Sequence, residues 1–320
     1  MSIRLLEGDC RETLPLLEAA SVQCAITSPP YYSVRDYGTE PLVWGDWTGS
    51  LGAEPTLEVY VEHLVEIFRG VWRVLRDDGV LWLNLGDKYV TEPVPGFKAK
   101  DLLLVPFRAA MALQQDGWWL RAAIPWLKRN PTPDSARDRP TTVIEYAFLL
   151  TKSEHYYWNA EVVRVPNSRE YARAGGQWAI HGADDLTGQR RGGTSQNGLA
   201  GHAAHPAGRL RRSTDWFFES WQGLLLDEDD DPLALVVNSR SFRGAHYATF
   251  PPKLIEPMLK ATSRPGDTVL DPFAGSGTVG LVADRLAREV VLCELQPQYT
   301  NIAGERLTGD APLFVQLQGF

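Results

Sequence analysis

The sequence predicts an α/β protein with a doubly wound, mostly parallel sheet. Two observations carry this prediction. Short apolar runs that end in turn residues alternate along the chain with longer segments of helical periodicity, which is the pattern of strand-helix-strand units. Apolar residues make up 44% and charged residues 22% of the 320 residues, as in ordinary globular proteins. The length allows one large domain or two.

The N-terminal part begins with two short strands, Ile3 to Leu6 and Cys24 to Thr27, each followed by turn residues. From Leu57 to Leu75 apolar residues recur every three or four positions, which predicts an amphipathic helix. We expect Asp77-Asp78-Gly79 to stop this helix before a strand from Val80 to Leu85. The first predicted unit is therefore strand, helix, strand.

The remaining elements continue the alternation on both sides of a segment without clear periodicity. Before that segment we predict a helix from Pro106 to Gln115 and strands at Leu120 to Leu127 and Val143 to Leu150. After it the predicted elements are the helices Lys253 to Ser263, Thr278 to Leu286 and Gln298 to Leu307, with strands at Thr268 to Leu270 and Glu289 to Cys293.

The middle of the chain differs in composition from both flanks. Between Arg164 and Asp215 there are eight Arg, no Lys and four acidic residues, a local net charge of +4, whereas the whole chain carries −8. We therefore predict one α/β domain built from residues 1–160 and 245–320, with a basic insertion at 160–245. Contact with nucleic acid would be local, because the overall charge has the wrong sign for coating it.

Other features exclude several classes of protein. No run approaches 18 apolar residues, and charged residues occupy the place where a signal peptide would need an apolar run, so we expect a cytoplasmic protein. The three cysteines are far apart and form no CxxC pair, which supports neither a disulfide framework nor a metal site.

A glycine-rich turn at 271–280 (DPFAGSGTVG) follows an apolar run and opens a predicted helix. Gly275, Gly277 and Gly280 satisfy the GxGxxG pattern, and Glu294 ends the next strand 19 positions after Gly275, where an acid could accept both hydroxyls of a ribose. A structural tight turn is the alternative. The pattern alone leaves a nicotinamide dinucleotide and S-adenosylmethionine open as cofactors. Asp271 favours the second, because a carboxylate there would repel a pyrophosphate but accept hydrogen bonds from an ammonium group.

A second turn, Ser28-Pro29-Pro30-Tyr31, leaves the carboxyl end of a predicted strand, the edge at which open α/β sheets bind ligands. Its two prolines fix the backbone. The Ser28 hydroxyl and the Pro29 carbonyl could accept both hydrogens of an exocyclic amino group, while Tyr31 stacks on the ring that carries it. The alternative is a rigid loop with a packed tyrosine.

The two turns together resemble those of the DNA amino-methyltransferases, the N4-cytosine and N6-adenine enzymes of restriction-modification systems. The order of the motifs is that of the beta class, with the catalytic turn first, target recognition in the middle and the cofactor turn last. The matching segments cover nearly the whole chain: LLEGDC at 5–10, TSPPY at 27–31, RVLRDDGVLWLNLGD at 73–87, PWLKRNPTPDSARDRP at 125–140, EYAFLLTKS at 145–153, HYATFPPKLI at 246–255 and LDPFAGSGT at 270–278.

The resemblance implies a seven-stranded, Rossmann-like methyltransferase sheet with permuted motif order, in which 160–245 is the target-recognition region. It also implies S-adenosylmethionine as cofactor. The cofactor-binding residues that carry over are Asp9, Cys10, Phe250, Pro251, Lys253, Asp271, Phe273, Gly275, Gly277, Thr278 and Glu294. Ser28, Pro29, Pro30 and Tyr31 become the catalytic turn.

The expected activity is site-specific methylation of the N4 amino group of cytosine in double-stranded DNA, with the target base flipped out of the duplex. Ser28 favours cytosine, since adenine enzymes more often have Asp there. The alternatives are an N6-adenine methyltransferase, a DNA-binding module without turnover, and a nicotinamide oxidoreductase. The absence of a Pro-Cys dipeptide argues against C5 methylation.

We expect DNA contacts from basic residues, and we expect the chain to act as a monomer or homodimer. A cognate restriction endonuclease that acts on the same site is a possible partner. The predicted DNA-binding residues are Lys128, Arg129, Arg190, Arg191, Arg211 and Arg212.

Overall fold

A computed structural model describes residues 2–35, 38–91, 96–128, 136–164, 235–236, 251–310 and 315–318. Within these ranges the strands are β1 Ile3–Glu7, β2 Val22–Thr27, β3 Leu42–Trp44, β4 Trp47–Gly49, β5 Leu75–Gly86, β6 Trp119–Leu127, β7 Ile144–Thr151, β8 Leu235–Val236, β9 Thr268–Asp271, β10 Glu289–Glu294 and β11 Val315–Gln318. The α-helices are α1 Cys10–Thr13, α2 Leu57–Val74, α3 Val105–Gln115, α4 Pro252–Thr262, α5 Thr278–Arg285 and α6 Pro297–Asp310.

Among the described residues one sheet of nine strands forms the centre of the protein, in the order β11-β1-β10-β9-β2-β5-β7-β6-β8. All neighbouring strands are parallel except at β7, which is antiparallel to both β5 and β6. The seven strands from β1 to β6 in this order confirm the predicted doubly wound, mostly parallel sheet. The short strands β11 and β8 lie at its two edges.

Helices cover both faces of the sheet, as a parallel sheet requires. The apolar residues of α2 and α3 pack with those of β5 on one face, including Phe68 and Leu83. On the other face α4, α5 and α6 pack around Trp82 and Leu292. Both faces of β2 are buried along its whole length, so only the strand ends reach the surface. Within the described residues no helix is long and apolar enough to cross a membrane.

The predicted end of α2 at Leu75 is correct to within one residue, whereas the predicted start of β5 at Val80 is wrong by five residues. The helix ends at Val74, and Asp77-Asp78-Gly79 lie inside β5 rather than between two elements. The physical reason is a change in pairing, because Val22 faces Leu75 whereas Cys24 faces Val80. The residues between Leu75 and Val80 form an irregularity that exposes Asp77 while the strand continues.

Most of the segment predicted to recognise the target lies outside the described residues. Of its described part, Leu235–Val236 forms β8 and pairs in parallel with the end of β6. The division into a catalytic domain and an inserted recognition region stays a prediction. The antiparallel pair β3 and β4 was not predicted from the sequence.

Phe68 provides a test of the packing between α2 and the sheet. Its side chain is fully buried, so Phe68→Ala should lower the free energy of unfolding by about 3 to 5 kcal/mol. Met111→Ala on α3 is the control, because that side chain is 57% exposed and its loss should change stability by no more than about 0.5 kcal/mol. Equal effects in denaturant titrations would contradict this packing.

Candidate active site

The carboxyl ends of the parallel strands bring the predicted functional residues to one edge of the sheet. Because β7 runs in the opposite direction, its first residues lie at this same edge. The side chains at the edge are Asp9 after β1, Ser28 after β2, Asn84 near the end of β5, Lys128 after β6, Glu145 near the start of β7, Asp271 at the end of β9 and Glu294 at the end of β10. The two predicted turns are therefore neighbours, although they are more than 240 residues apart in sequence.

The glycine-rich turn is held by backbone hydrogen bonds to the end of β10. The N–H of Gly275 donates to Glu294 Oε2 at 2.7 Å, and the N–H of Ala274 donates to the carbonyl of Cys293 at 2.9 Å. Gly277 precedes α5 with φ +74°, and a Cβ atom there would lie 3.1 Å from Ala303 Cβ. The turn thus needs glycine at 277 for both its conformation and its approach to α6.

Asp271 is a buried carboxylate at the centre of this edge, with 2% of its surface exposed. Its Oδ1 accepts hydrogen bonds from Thr27 Oγ1 at 2.7 Å and from the N–H of Phe273 at 3.0 Å. Burial raises the pKa of Asp271 to about 7, and the nearby Glu294 adds to this, while the two hydrogen bonds act in the opposite direction. The carboxyl group therefore titrates near neutral pH.

Glu294 is also buried, and burial raises its pKa above the ordinary value for Glu. Besides Gly275, the N–H of Gln296 donates to it, at 2.9 Å to Oε1. Among the described residues neither Glu294 nor Asp271 forms an ion pair. Two buried carboxylates that pair with no cation in the described part of the chain favour a ligand that carries positive charge or several hydrogen-bond donors.

Asp9 differs from these two acids because the protein itself neutralises it. Its Oδ1 accepts the N–H of Arg11 at 2.9 Å and caps α1, and its Oδ2 forms an ion pair with the Arg11 guanidinium at 2.6 Å. The adjacent Cys10 is buried, and burial raises the pKa of its thiol well above the ordinary value. The thiol of Cys10 is therefore neutral at physiological pH, and a contact of Cys10 with the cofactor stays a prediction.

The other predicted cofactor residues divide between the turn and the start of α4. Thr278 is buried, and its hydroxyl accepts a hydrogen bond from Arg306 Nη1 at 2.9 Å. Arg306 also donates to the Ser276 carbonyl at 3.1 Å, so it fastens the turn to α6. Pro251 precedes α4, and Lys253 lies in its first turn. Phe250 lies outside the described residues.

The turn at Ser28 is fastened to the helical layer and to the following loop. Tyr60 Oη of α2 donates to the Pro30 carbonyl at 2.8 Å. The N–H of Ser33 donates to the carbonyl of Gly52 at 2.6 Å, and the N–H of Gly52 donates to the buried Glu54 at 2.8 Å. The two prolines and these bonds hold the turn in a fixed place beside Asp271.

Four side chains form a hydrogen-bonded cluster at the tip of this turn, which we call the Tyr31 cluster: Ser28, Tyr31, Asn84 and Glu145. Ser28 Oγ donates to Tyr31 Oη at 3.0 Å, and Tyr31 Oη donates to Glu145 Oε2 at 2.9 Å. Asn84 Nδ2 donates to Tyr31 Oη at 2.7 Å and to Glu145 Oε2 at 2.8 Å. Lys128 Nζ forms an ion pair with the other oxygen of Glu145.

Sequence reasoning did not assign a site role to Asn84 or Glu145. The available signals were a lone amide inside the apolar run VLWLNL and an acid at the start of IEYAFLL. Their proximity depends on the register of β5 and β7, in which Gly86 faces Glu145 and Asn84 faces Ala147. Asn84 and Glu145 are thus diagonal neighbours on one face, close enough for side-chain contact.

The predicted DNA-binding residues are mostly outside the described ranges, namely Arg129, Arg190, Arg191, Arg211 and Arg212. Lys128 is described, and its ammonium group lies 4.8 Å from the centre of the Trp126 ring as well as against Glu145. The structure therefore places Lys128 beside the Tyr31 cluster. Its contact with DNA stays a prediction.

An open sheet with a glycine-rich turn and two buried acids at its carboxyl edge defines an enzyme that binds a nucleoside-containing cofactor. The sequence profile of the DNA methylase family that joins the N6 and N4 enzymes matches residues 22–305. The chain belongs to this DNA methyltransferase family.

Individual relatives agree with this family. The type II methyltransferase M.XycI of Xanthomonas campestris pv. cyanopsidis is 38% identical over 95% of this chain and 87% of its own length. Among solved structures, PvuII DNA methyltransferase, described as cytosine-N4-specific, has a TM-score of 0.61 at 18% identity and covers 96% of this chain and 86% of its own. TTHA0409 of Thermus thermophilus, solved in complex with S-adenosyl-L-methionine, has a TM-score of 0.59 at 23% identity and covers 99% of both chains. At these identities the two structures support the fold.

The raised pKa of Asp271 predicts a pH-dependent loss of stability in the ligand-free protein. The folded state holds this proton up to a pH of about 7, whereas the unfolded state releases it near the ordinary pKa of about 4. Stability should therefore fall as pH rises between these values. Asp271→Asn removes this titration, so its stability relative to wild type should increase from pH 5 to pH 8, by about 3 kcal/mol.

Denaturant titrations across this pH range measure the difference. Asp267→Asn is the matched control, because Asp267 precedes the opposite end of β9 and caps a turn through the N–H of Arg264. A stability difference between Asp271→Asn and wild type that does not change with pH would contradict the buried titration.

Proposed function

We propose that this DNA methyltransferase transfers a methyl group from S-adenosylmethionine to the exocyclic N4 amino group of cytosine in duplex DNA. The observation that carries the proposal is the direction of the hydrogen bonds in the Tyr31 cluster. This direction makes Ser28 a hydrogen-bond acceptor for a ligand at the carboxyl edge of β2. Asp271 and Glu294, one strand and two strands away, supply the cofactor side of the same edge.

The residues at the ends of β9 and β10 fit S-adenosylmethionine. This cofactor carries a sulfonium and an ammonium group, and it supplies an electrophilic methyl group when bound. Asp271 would accept the ammonium group through its Oδ2, which has no hydrogen-bond partner among the described residues, and Glu294 would accept the ribose hydroxyls. A cation beside these two acids offsets the cost of burying their charges.

The direction of each hydrogen bond in the Tyr31 cluster follows from the chemistry of its members. The Asn84 amide nitrogen can only donate, and an ionised Glu145 carboxylate can only accept. The single Tyr31 O–H therefore donates to Glu145, and its lone pairs accept from Asn84 and Ser28. Because the Ser28 O–H donates to Tyr31, only the lone pairs of Ser28 Oγ are available to a ligand. A group that binds there must donate, as an amino group does.

The Ser28 oxygen and the Pro29 carbonyl can together accept both hydrogens of one amino group. Such bonds favour a tetrahedral nitrogen whose lone pair is no longer delocalised into the ring, and they orient that lone pair toward the cofactor side of the edge. Thr27 connects the two sides, since it precedes Ser28 and donates to Asp271. Positioning is the main contribution of the chain to the reaction.

Cytosine N4 is favoured over adenine N6 because the acceptor at 28 is a neutral hydroxyl, where adenine enzymes more often have a carboxylate. The target amino group is inaccessible inside a duplex, so the base must leave the stack at a cost of a few kcal/mol. Stacking on the half-buried Tyr31 ring, worth about 1 to 3 kcal/mol, offsets part of this cost.

The product provides the direct test of this proposal. Nucleoside mass spectrometry of duplex DNA treated with enzyme and S-adenosylmethionine should detect N4-methylcytosine. Ser28→Ala should slow methyl transfer by about 10- to 100-fold, as expected for an interaction of about 1.5 to 3 kcal/mol, and should leave cofactor affinity nearly unchanged. N6-methyladenine as the only product would assign the enzyme to the adenine branch, and no methylated base would favour a DNA-binding module.

Calorimetry tests the cofactor side. Binding of the cationic cofactor should hold Asp271 in its ionised form. Binding near pH 7 should therefore release protons, whereas binding above about pH 9 should release none. Calorimetry in buffers of different ionisation enthalpy measures this proton release. Asp271→Ala should weaken binding by about 10- to 100-fold and abolish the proton release. Asp267→Ala should behave as wild type. Tight NADH binding without a signal from S-adenosylmethionine would overturn the cofactor assignment.

A further inference from the structure

We propose that Glu145 is a positioning residue that acts on the target amino group through Tyr31 and Ser28, and that these three side chains form a relay for the proton lost in methyl transfer. This inference rests on the proposed function, because it needs an amino group bound at Ser28. Neither of the two turns contains Glu145, which comes from the start of β7.

The relay has one direction throughout. Ser28 Oγ donates to Tyr31 Oη at 3.0 Å, and Tyr31 Oη donates to Glu145 Oε2 at 2.9 Å. An amino group that donates to Ser28 Oγ would add one more hydrogen bond at the start of this chain, and that bond would also point toward Glu145. Hydrogen bonds that point the same way polarise one another, and a carboxylate at the end strengthens the chain. Glu145 thereby makes Ser28 a stronger acceptor than an isolated serine hydroxyl.

The surroundings of Glu145 fix its position. Asn84 donates to Glu145 Oε2 while its own Oδ1 is buried and has no hydrogen-bond partner among the described residues. A buried amide oxygen without a partner lowers stability, so this placement of Asn84 serves the cluster rather than stability. Lys128 from the end of β6 and Tyr31 are the titratable groups in contact with Glu145 in the described part of the chain.

Asp87, the next acid at the end of β5, does not take part in the relay. Its Oδ1 accepts from the backbone N–H groups of Lys88 at 2.9 Å and Val105 at 3.0 Å. Burial raises the pKa of Asp87, and these backbone bonds act against that change. The carboxylate that reaches Tyr31 is that of Glu145.

Atoms and electrons balance in the transfer. The nitrogen lone pair forms the new N–C bond, the electrons of the broken C–S bond stay on sulfur, and the methylated amine is briefly cationic. It gives one proton to Ser28 Oγ as the Ser28 proton passes to Tyr31 Oη and the Tyr31 proton passes to Glu145 Oε2. Glu145 ends protonated, and its side chain, which is 13% exposed, returns the proton to water.

Single-turnover methylation at saturating cofactor tests this relay with Glu145→Gln, Tyr31→Phe and the double variant. We expect each single change to slow methyl transfer by about 10- to 100-fold, with cofactor affinity unchanged. The double variant should be no slower than the slower single variant, because both changes interrupt one chain. The pH profile of the rate should differ between wild type and Glu145→Gln, because only the wild-type relay ends in a carboxylate that accepts a proton.

Two further measurements separate the relay from a structural role. Glu256→Gln is the matched control, since Glu256 also pairs with a lysine, Lys260, on the surface of α4, and it should retain the wild-type rate and pH profile. A fluorescent base analogue at the target position reports base flipping, which should be the same in wild type, Glu145→Gln and Tyr31→Phe. Melting temperatures verify that each variant is folded.

The outcomes distinguish the two proposals. Wild-type rate and pH profile in Glu145→Gln would overturn the relay, as would effects that multiply in the double variant. Slow transfer by Glu145→Gln with impaired base flipping and an unchanged pH profile would also overturn it, because Glu145 would then only hold the Tyr31 ring. Absence of any methylated base with the wild-type enzyme would instead overturn the proposed function itself.

Discussion

The hydrogen bond from Thr27 Oγ1 to Asp271 Oδ1, 2.7 Å long and buried, joins the two halves of the candidate active site. It exists because β2 and β9 are adjacent parallel strands whose carboxyl ends meet at one edge. Thr27 is followed directly by Ser28, and Asp271 opens the glycine-rich turn. Any change in the pairing of these two strands would separate the base side from the cofactor side, so the geometry of transfer depends on this one contact.

The two halves of the edge differ in how their acids are compensated. Among the described residues, Asp271 and Glu294 are buried without an ionic partner, whereas Glu145 contacts Lys128 and accepts from Tyr31 and Asn84. The first half therefore favours a cation as its ligand, and the second favours a neutral hydrogen-bond donor. A cationic methyl donor and a neutral amino group satisfy both requirements. The electrostatics of the edge thus favour the same pair of reactants as the sequence motifs do.

Much of the fold was predictable because each strand is a short apolar run and each helix has an apolar stripe. The predicted strands that became β1, β2, β9 and β10 and the helices that became α3 and α5 agree with the structure to within two residues. The failure at Asp77-Asp78-Gly79 has a clear cause, since two acids and a glycine usually end an element, but here an irregular pairing with β2 lets β5 continue. Local composition does not contain that information.

The candidate site was predictable only where its residues are neighbours in sequence. The turns at 28–31 and 271–278 are contiguous, so their spacing indicates their chemistry. Asn84 and Glu145 were missed because their contact depends on the register between antiparallel strands 61 residues apart. For Thr278, the resemblance suggests a cofactor contact, and only the three-dimensional arrangement reveals the hydrogen bond from Arg306 that ties it to α6.

Gly86 shows how one position in that register serves several residues at once. It faces Glu145 across β5 and β7, and a Cβ atom at this position would lie 2.7 Å from Cε2 of the Tyr31 ring. The missing side chain leaves the space that the ring occupies, and the same backbone pairing places Glu145 within reach of the ring's hydroxyl. A larger residue at 86 would displace the aromatic ring and would therefore break the hydrogen bonds to Ser28 and Glu145 together. The end of β5 consequently determines the position of Tyr31 as much as the two prolines of the turn do. The position of Tyr31 in turn determines that Ser28 accepts, rather than donates, a hydrogen bond from a ligand.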